Sequence, residues 1–246
     1  MKTVAIVQAR MGSTRLPGKV LMRIEGQTVL KHVISRIRRS KEVDDIVIAT
    51  TILPDDDKIV EEAKKLKVNY FRGSEEDVLA RYYHAAKENQ AEIVVRITSD
   101  CPLIDSKVID EMIEKFKVLF STDDVDYLSN TLERTYPRGL DLEIVPFRRI
   151  EEAFRNANKP YQREHVTPYF YENSDKFKLV NFSNSKDYSN YRWTLDTQED
   201  LELITELYRH MYRGQHDFYL QGIVKVLEKN NELIGINSEV KQKELK

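Results

Sequence analysis

The chain has 246 residues, 41% of them hydrophobic, enough for one sizeable core or a large domain with a smaller appendage. Its 39 Lys and Arg nearly balance 41 Asp and Glu, which leaves no global basic field, so no nucleic-acid partner is expected and a small charged substrate fits better. Cys101 is the single cysteine, which excludes an intramolecular disulfide and a cysteine-based zinc cluster.

Residues 3–8 are a short β-branched run that ends in a loop containing Gly and Pro, and Val29, Leu30, Val33, Ile34 and Ile37 then recur at helical spacing. The pattern predicts strand, loop, helix. The opening apolar run is too brief for a signal peptide, and no stretch approaches the ~20 apolar residues of a membrane span, so a cytoplasmic protein without membrane contact is expected. The alternation continues with a strand over 46–50, a helix over 56–66, a short strand over 68–71, a helix over 76–88 and a strand over 93–97. Strands that are apolar throughout belong in a mostly parallel sheet with helices on both faces, an α/β, Rossmann-like arrangement. A helix over 106–120 follows, capped by Asp105 or Ser106.

Beyond residue 125 the pattern changes to strand-like pieces at 126–129 and 140–145, a helix near 150–157 and a tyrosine-rich stretch at 161–171. This reads as a partly antiparallel subregion, residues 125–190, inserted within one domain spanning 1–246. Residues 192–195 resume a strand that closes the main sheet, and Thr197 with Asp200 resembles a capping box that opens a helix over 198–212. A last helix over 217–227 precedes a Lys- and Glu-rich end, 240–246, expected to fray.

Between the first strand and first helix stand Arg10, Gly12, Ser13, Arg15, Pro17, Gly18 and Lys19. Glycines let backbone N–H groups approach phosphate oxygens, the following helix N-terminus adds partial positive charge, and Arg and Lys neutralise anionic oxygens. The competing reading is a solvated loop whose charges happen to cluster. Five residues separate Gly12 from Gly18, and Val20 follows Lys19, so the Walker A pattern is not met; the dinucleotide fingerprint GxGxxG is absent too.

Asp100 ends an apolar strand just before Cys101 and Pro102, and Asp196 ends the next one just before a helix. Two strand-end acids on the ligand edge of one sheet suit Mg²⁺, which takes one or two carboxylates plus phosphate oxygens and water. Each alone reads equally well as a helix cap. Asp200, one turn along the helix from Asp196, either reaches the metal or serves the helix dipole and is not counted as a ligand. The run Asp55, Asp56, Asp57 is explained by a polar turn, and Cys101, beside an anion and with no evident base, by inert packing. In residues 138–143, strand alternation places Asp141 and Glu143 on one face, where they either hydrogen-bond sugar hydroxyls or face water. Tyr161, Tyr169, Phe170 and Tyr171 suit a core or a subunit interface rather than a sugar platform.

The segment ARMGSTRLPGK (residues 9–19) resembles the signature of the cytidylyltransferases that activate acidic sugars, including the synthetases for CMP-KDO and CMP-sialic acid. Supporting segments are 96–102, REHVTP (163–168) and WTLDTQEDL (193–201), and REHVTP is similar to the branch of the spore-coat polysaccharide biosynthesis protein SpsF. The resemblance implies a fold of the nucleotide-diphospho-sugar transferase type. It implies that Arg10, Ser13, Arg15 and Lys19, with Ala9 and Gly12 in the same loop, bind the triphosphate of CTP, and that Arg72 approaches the nucleotide. Asp100 and Asp196 would ligate Mg²⁺ and, with Arg10 and Lys19, form the catalytic set. Glu164 and His165 of REHVTP join Gly139, Asp141 and Glu143 of the strand-like segment as candidate contacts for the acceptor, a sugar acid or related small molecule. His165 either orients the acceptor or takes its proton, or else serves packing or a cap; the resemblance also implies a homodimer built through the inserted region. Many relatives have Asp-Glu-Pro where this chain has Asp100-Cys101-Pro102, a departure on the question of which acidic sugar is used.

The reaction so implied is transfer of CMP from CTP with release of pyrophosphate, in making surface polysaccharide or glycoconjugate precursors. The alternatives are a glycosyltransferase of related fold, for which Ser99-Asp100-Cys101 is a poor DxD motif, and a non-catalytic nucleotide-binding homologue.

Overall fold

Burial along the first strand sets the layers. In the computed structural model, which describes residues 1–242, β1 (Thr3–Gln8) turns Val4 and Ile6 into one apolar cluster and Ala5 and Val7 into the other. After the loop come a two-stranded hairpin, β2 (Arg23–Ile24) and β3 (Gln27–Thr28), and α1 (Val29–Ile37), whose N-cap Thr28 accepts from the Lys31 N–H. The predicted alternation follows as β4 (Asp45–Thr51), α2 (Asp57–Leu66), β5 (Asn69–Gly73), α3 (Val78–Glu88) and β6 (Ile93–Thr98). α4 (Ser106–Asp123) is capped by Asp105, whose side chain accepts from the Lys107 N–H.

β5, β4, β1 and β6 pair in parallel in that order, so their carboxyl ends share one edge, where the loop after β1 and Asp100 both emerge. The later segment supplies β7 (Tyr127–Ser129), β8 (Glu143–Pro146), α5 (Phe147–Asn156), α6 (Pro160–His165), α7 (Pro168–Tyr171) and β9 (Leu179–Asn181). β8 joins β6 antiparallel, β7 joins β8 antiparallel and β9 runs parallel to β7, completing a seven-stranded sheet. α8 (Gln198–Met211), α9 (Leu220–Lys229) and α10 (Glu232–Gly235) follow. Helices α1, α2, α4, α8 and α9 bury their apolar sides on the Ala5/Val7 face, and α3 and α5 on the Val4/Ile6 face, with Phe170 of α7. The expected mostly parallel α/β sheet with an antiparallel part is what forms.

The expected strand over 192–195 does not form; its pairing is one isolated bridge, Arg138 to Arg192, and the sheet ends at β9 instead. Its backbone bonds are spent on cross-links: the Trp193 N–H donates to the Arg138 carbonyl at 2.7 Å and the Leu195 N–H to the Asp100 carbonyl at 2.8 Å. Gly139 makes the passage possible, since with φ 100° a Cβ there would stand 2.5 Å from the Trp193 carbonyl carbon. The last long helix starts at Leu220, not 217, where Asp105 accepts the Leu220 N–H at 2.7 Å. Of the end expected to fray, residues 240–242 lie against the fold, with the Lys241 carbonyl accepting from Arg15 at 3.2 Å and the Gln242 side chain from Arg192 at 2.6 Å; residues 243–246 lie outside the described residues. No helix among the described residues is long and apolar enough to cross a membrane.

Candidate active site

The loop after β1 folds back on itself. The Met11 carbonyl accepts from the Ser13 and Gly18 N–H groups at 2.9 and 3.0 Å, and Gly18 takes φ 71° to turn the chain into the one-turn helix Lys19–Leu21. The amides of Gly12, Thr14 and Arg15 donate to no acceptor among the described residues, as an anion cradle requires. The loop's anchor is Asp56. Only 2% exposed, it accepts the Met11 N–H at 2.7 Å with one oxygen and the Thr51 hydroxyl with the other.

Lys19 joins the loop to both strand-end acids. Its Nζ lies 2.7 Å from Asp100 Oδ2 and 2.8 Å from Asp196 Oδ1. Burial pulls its pKa down, but the two carboxylates outweigh burial and hold it above the ordinary lysine value. Burial likewise pushes Asp100 up, and Lys19 overcomes this and keeps it below its ordinary value. The second oxygen of Asp196 accepts from Arg15 at 2.8 Å and from Arg192 at 2.7 Å. Arg192 is itself fixed by Asp200, fully buried, at 2.9 Å. Asp200 also closes the expected capping box with Thr197 and accepts the Asp196 N–H at 2.9 Å, so it positions Asp196 from behind.

A cavity of about 250 Å³ opens above these groups, lined by Ala9, Arg10, Gly12, Ser13, Arg15 and Lys19. Asp100 and Asp196 form its floor side, and Glu164 and His165 face it from α6. Arg163 does not enter; it holds α6 against α3 by donating to Asp77, the α3 N-cap, at 2.8 and 2.6 Å. Immediately after His165 the chain reverses through Val166, fully buried at φ 71°, ψ −57°, with the Thr167 N–H bonded to the His165 carbonyl at 2.8 Å. A β-branched residue in that conformation is strained, and it ends α6 where its last side chains face the cavity.

Four predicted contacts are not brought to the cavity. Arg72 is spent on the turn after β4, donating to the Thr51 and Leu53 carbonyls at 2.8 and 3.0 Å and pairing with Asp57 at 2.6 Å. Gly139 serves the close passage of Trp193. Asp141 and Glu143 do not share a strand face, because β8 begins only at Glu143. Asp141 is gripped by Arg134 at 2.5 and 3.0 Å, and Glu143 is buried against Arg96 and the Tyr127 hydroxyl. Cys101 is buried, and burial first, then the Asp100 anion, push its thiol well above the ordinary value, so it is inert packing. Phe170 is fully buried among Tyr127, Tyr169 and Phe177, which makes it core.

Sequence reasoning missed Asp56, Arg192 and Arg81. Arg81 of α3 lines the cavity, is 2% exposed, and its Nε and Nη1 donate to no acceptor among the described residues. Helical spacing marks it only as one more residue of an amphipathic helix.

Residues 4–232 match the sequence profile of the family described as Cytidylyltransferase. An uncharacterized protein of Methanocaldococcus jannaschii is 40% identical over 246 residues, covering 99% of this chain and 97% of the relative. The spore coat polysaccharide biosynthesis protein SpsF of Bacillus subtilis is 34% identical over 212 residues, 83% of this chain and 85% of the relative, which agrees with the branch that REHVTP resembles. A solved structure described as a cytidylyltransferase from Leptospira borgpetersenii superposes with a TM-score of 0.90 at 40% identity, covering 95% of this chain and 97% of that one.

Proposed function

The chain belongs to the cytidylyltransferase family, and from that premise we propose that it transfers CMP from CTP to a sugar acid or related metabolite, releasing pyrophosphate, to make precursors of a surface polysaccharide or glycoconjugate. The observation that carries the reading is the meeting of the cationic loop with both strand-end acids at Lys19 Nζ. The acceptor oxygen bonds to the α-phosphorus as the bond from that phosphorus to the pyrophosphate oxygen breaks, so catalysis is mainly positioning and charge neutralisation. Arg10, Arg15 and Lys19 neutralise the departing pyrophosphate, and the loop amides of Gly12, Thr14 and Arg15 hold its oxygens. Glu164 and His165, which line the same cavity, take the acceptor.

Asp100 and Asp196 fit a divalent cation. Both direct an oxygen to one point, and two hard carboxylates with phosphate oxygens make a donor set suited to Mg²⁺. The ion, when bound, supplies charge neutralisation at the phosphate. The same reading takes residues 1–246 as one catalytic domain and assigns the region 125–190 to acceptor selection and a homodimer contact.

The test is a pyrophosphate-release screen of each nucleoside triphosphate against a panel of acidic sugars and phosphorylated small molecules. CTP with an acidic sugar should give pyrophosphate and a CMP conjugate, and Asp100→Asn should lower turnover by on the order of a hundredfold. A nucleoside diphosphate formed only from a sugar nucleotide would replace this reading with glycosyl transfer, and tight CTP binding without any product would replace it with a non-catalytic role.

A further inference from the structure

Around the two acids the charges cancel. Asp100 and Asp196 are met by Lys19 and Arg15, while Arg192 is balanced by the buried Asp200. The Lys19 ammonium, 2.7 and 2.8 Å from one oxygen of each acid, stands at the point on which both carboxylates converge. A divalent cation cannot share that point with a tethered ammonium, and with the charges cancelled it finds little net attraction there. We infer that Lys19 is a tethered surrogate cation which keeps the Asp100–Asp196 seat closed to divalent metal until a triphosphate draws Lys19 and Arg15 away, so that metal and nucleotide bind cooperatively.

The three cations differ in their freedom to leave. Arg192 is bonded to Asp200 and Gln242 as well as Asp196, so it stays, whereas Lys19, buried to the same degree, is held by the two acids. Lys19 and Arg15 belong to the loop that wraps the cavity, and the Arg15 side chain is one-third exposed, so a triphosphate lying in the loop offers both of them new anionic partners. Their departure leaves two carboxylates without their loop cations, which is when a divalent ion is most strongly attracted. By linkage, metal and nucleotide must then raise each other's affinity by the same factor, on the order of ten- to a hundredfold. The release step rests on the triphosphate reading given above; the closed seat rests on the ion pairs that Lys19 and Arg15 make with Asp100 and Asp196.

The experiment titrates Mn²⁺, read by electron paramagnetic resonance, into the full chain as wild type, Lys19→Met and Lys19→Arg, each with and without the non-hydrolysable α,β-methylene analogue of CTP. Wild type alone should bind Mn²⁺ weakly, Lys19→Met on the order of tenfold or more tightly without nucleotide, and Lys19→Arg as weakly as wild type. Equal Mn²⁺ affinity of wild type and a folded Lys19→Met protein would overturn the inference. Should Lys19→Met fail to fold by circular dichroism, wild type decides: Mn²⁺ affinity unchanged by the analogue, after allowance for the metal–analogue complex in solution, overturns it. Failure of the analogue to bind at all would overturn the nucleotide reading instead, and the nucleotide-free comparison of Met with Arg at 19 would still judge the closed seat.

Discussion

At the scale of single residues, the loop's shape depends on a side chain outside it. Asp56 is buried and holds the Met11 N–H and the Thr51 hydroxyl, so Asp56→Ala leaves the buried Thr51 hydroxyl and the half-buried Met11 N–H without this acceptor. At about 1–3 kcal/mol for the buried hydroxyl and about 1 kcal/mol for the half-buried amide, the variant should lose roughly 2–4 kcal/mol in urea denaturation. On the proposed function its affinity for CTP should also weaken, while Asp56→Asn, which keeps one carbonyl acceptor, should lose less of both. Nucleotide affinity unchanged in Asp56→Ala would show that the cradle keeps its shape without this anchor. The sequence presents Asp55, Asp56 and Asp57 as three equal members of a polar turn. Only the turn of the chain after β4 sorts them, burying Asp56 under the loop and leaving Asp57 to pair with Arg72. The same turn settles Arg72, whose reach to the Thr51 and Leu53 carbonyls is a matter of how the chain folds after β4 and not of its place in the sequence.

At the scale of elements, the placement of Asp196 is a matter of backbone passage rather than of strand pairing. The chain over 192–195 threads between Gly139 and the exit of β6, and Leu195 bonds to the Asp100 carbonyl, which sets the two acids side by side. Gly139→Ala would bring a Cβ to 2.5–2.7 Å of the Trp193 and Thr194 backbone in a conformation that L-residues avoid. The expected cost is roughly 2–4 kcal/mol in denaturation midpoint, with loss of turnover as Asp196 shifts. A variant as stable and active as wild type would mean the passage is looser than drawn. Strand-like composition at 192–195 gave no warning of this, because an apolar run looks the same whether its amides join a ladder or cross-link two loops.

At the scale of the whole molecule, a buried histidine pair ties α1 to the segment between α8 and α9. His32 Nε2 donates to the Ile24 carbonyl at 2.8 Å, and with the His32 ring neutral its Nδ1 is left to accept from His216 Nε2, also at 2.8 Å. Burial, with Arg36 nearby, pushes His32 down to about 4 and His216, under the further influence of His32, to about 3 from an ordinary 6.5. Above 6.5 folded and unfolded chains bind the same protons here and the stability is fully present. As pH falls below that value the unfolded chain is protonated first, so stability declines toward pH 4, by about 2 kcal/mol per histidine at pH 5. Urea midpoints measured at pH 7, 6 and 5 should drop in that order, and His216→Gln should flatten the drop; a flat wild-type profile would contradict the neutral pair.

What the sequence determined by itself is what local periodicity and covalent order encode. The alternation of apolar strands and amphipathic helices set the parallel sheet and its two covered faces, and the covalent order set a loop rich in glycines and cations, residues 9–19, at the strand ends. Only the tertiary structure decided which distant groups meet. Lys19 between Asp100 and Asp196, Asp56 beneath Met11, and Arg163 clamping α6 to Asp77 join residues 81, 177, 45 and 86 positions apart. Such pairings follow from how the layers pack and where loops cross, and a chain's pattern of side chains carries no direct record of either.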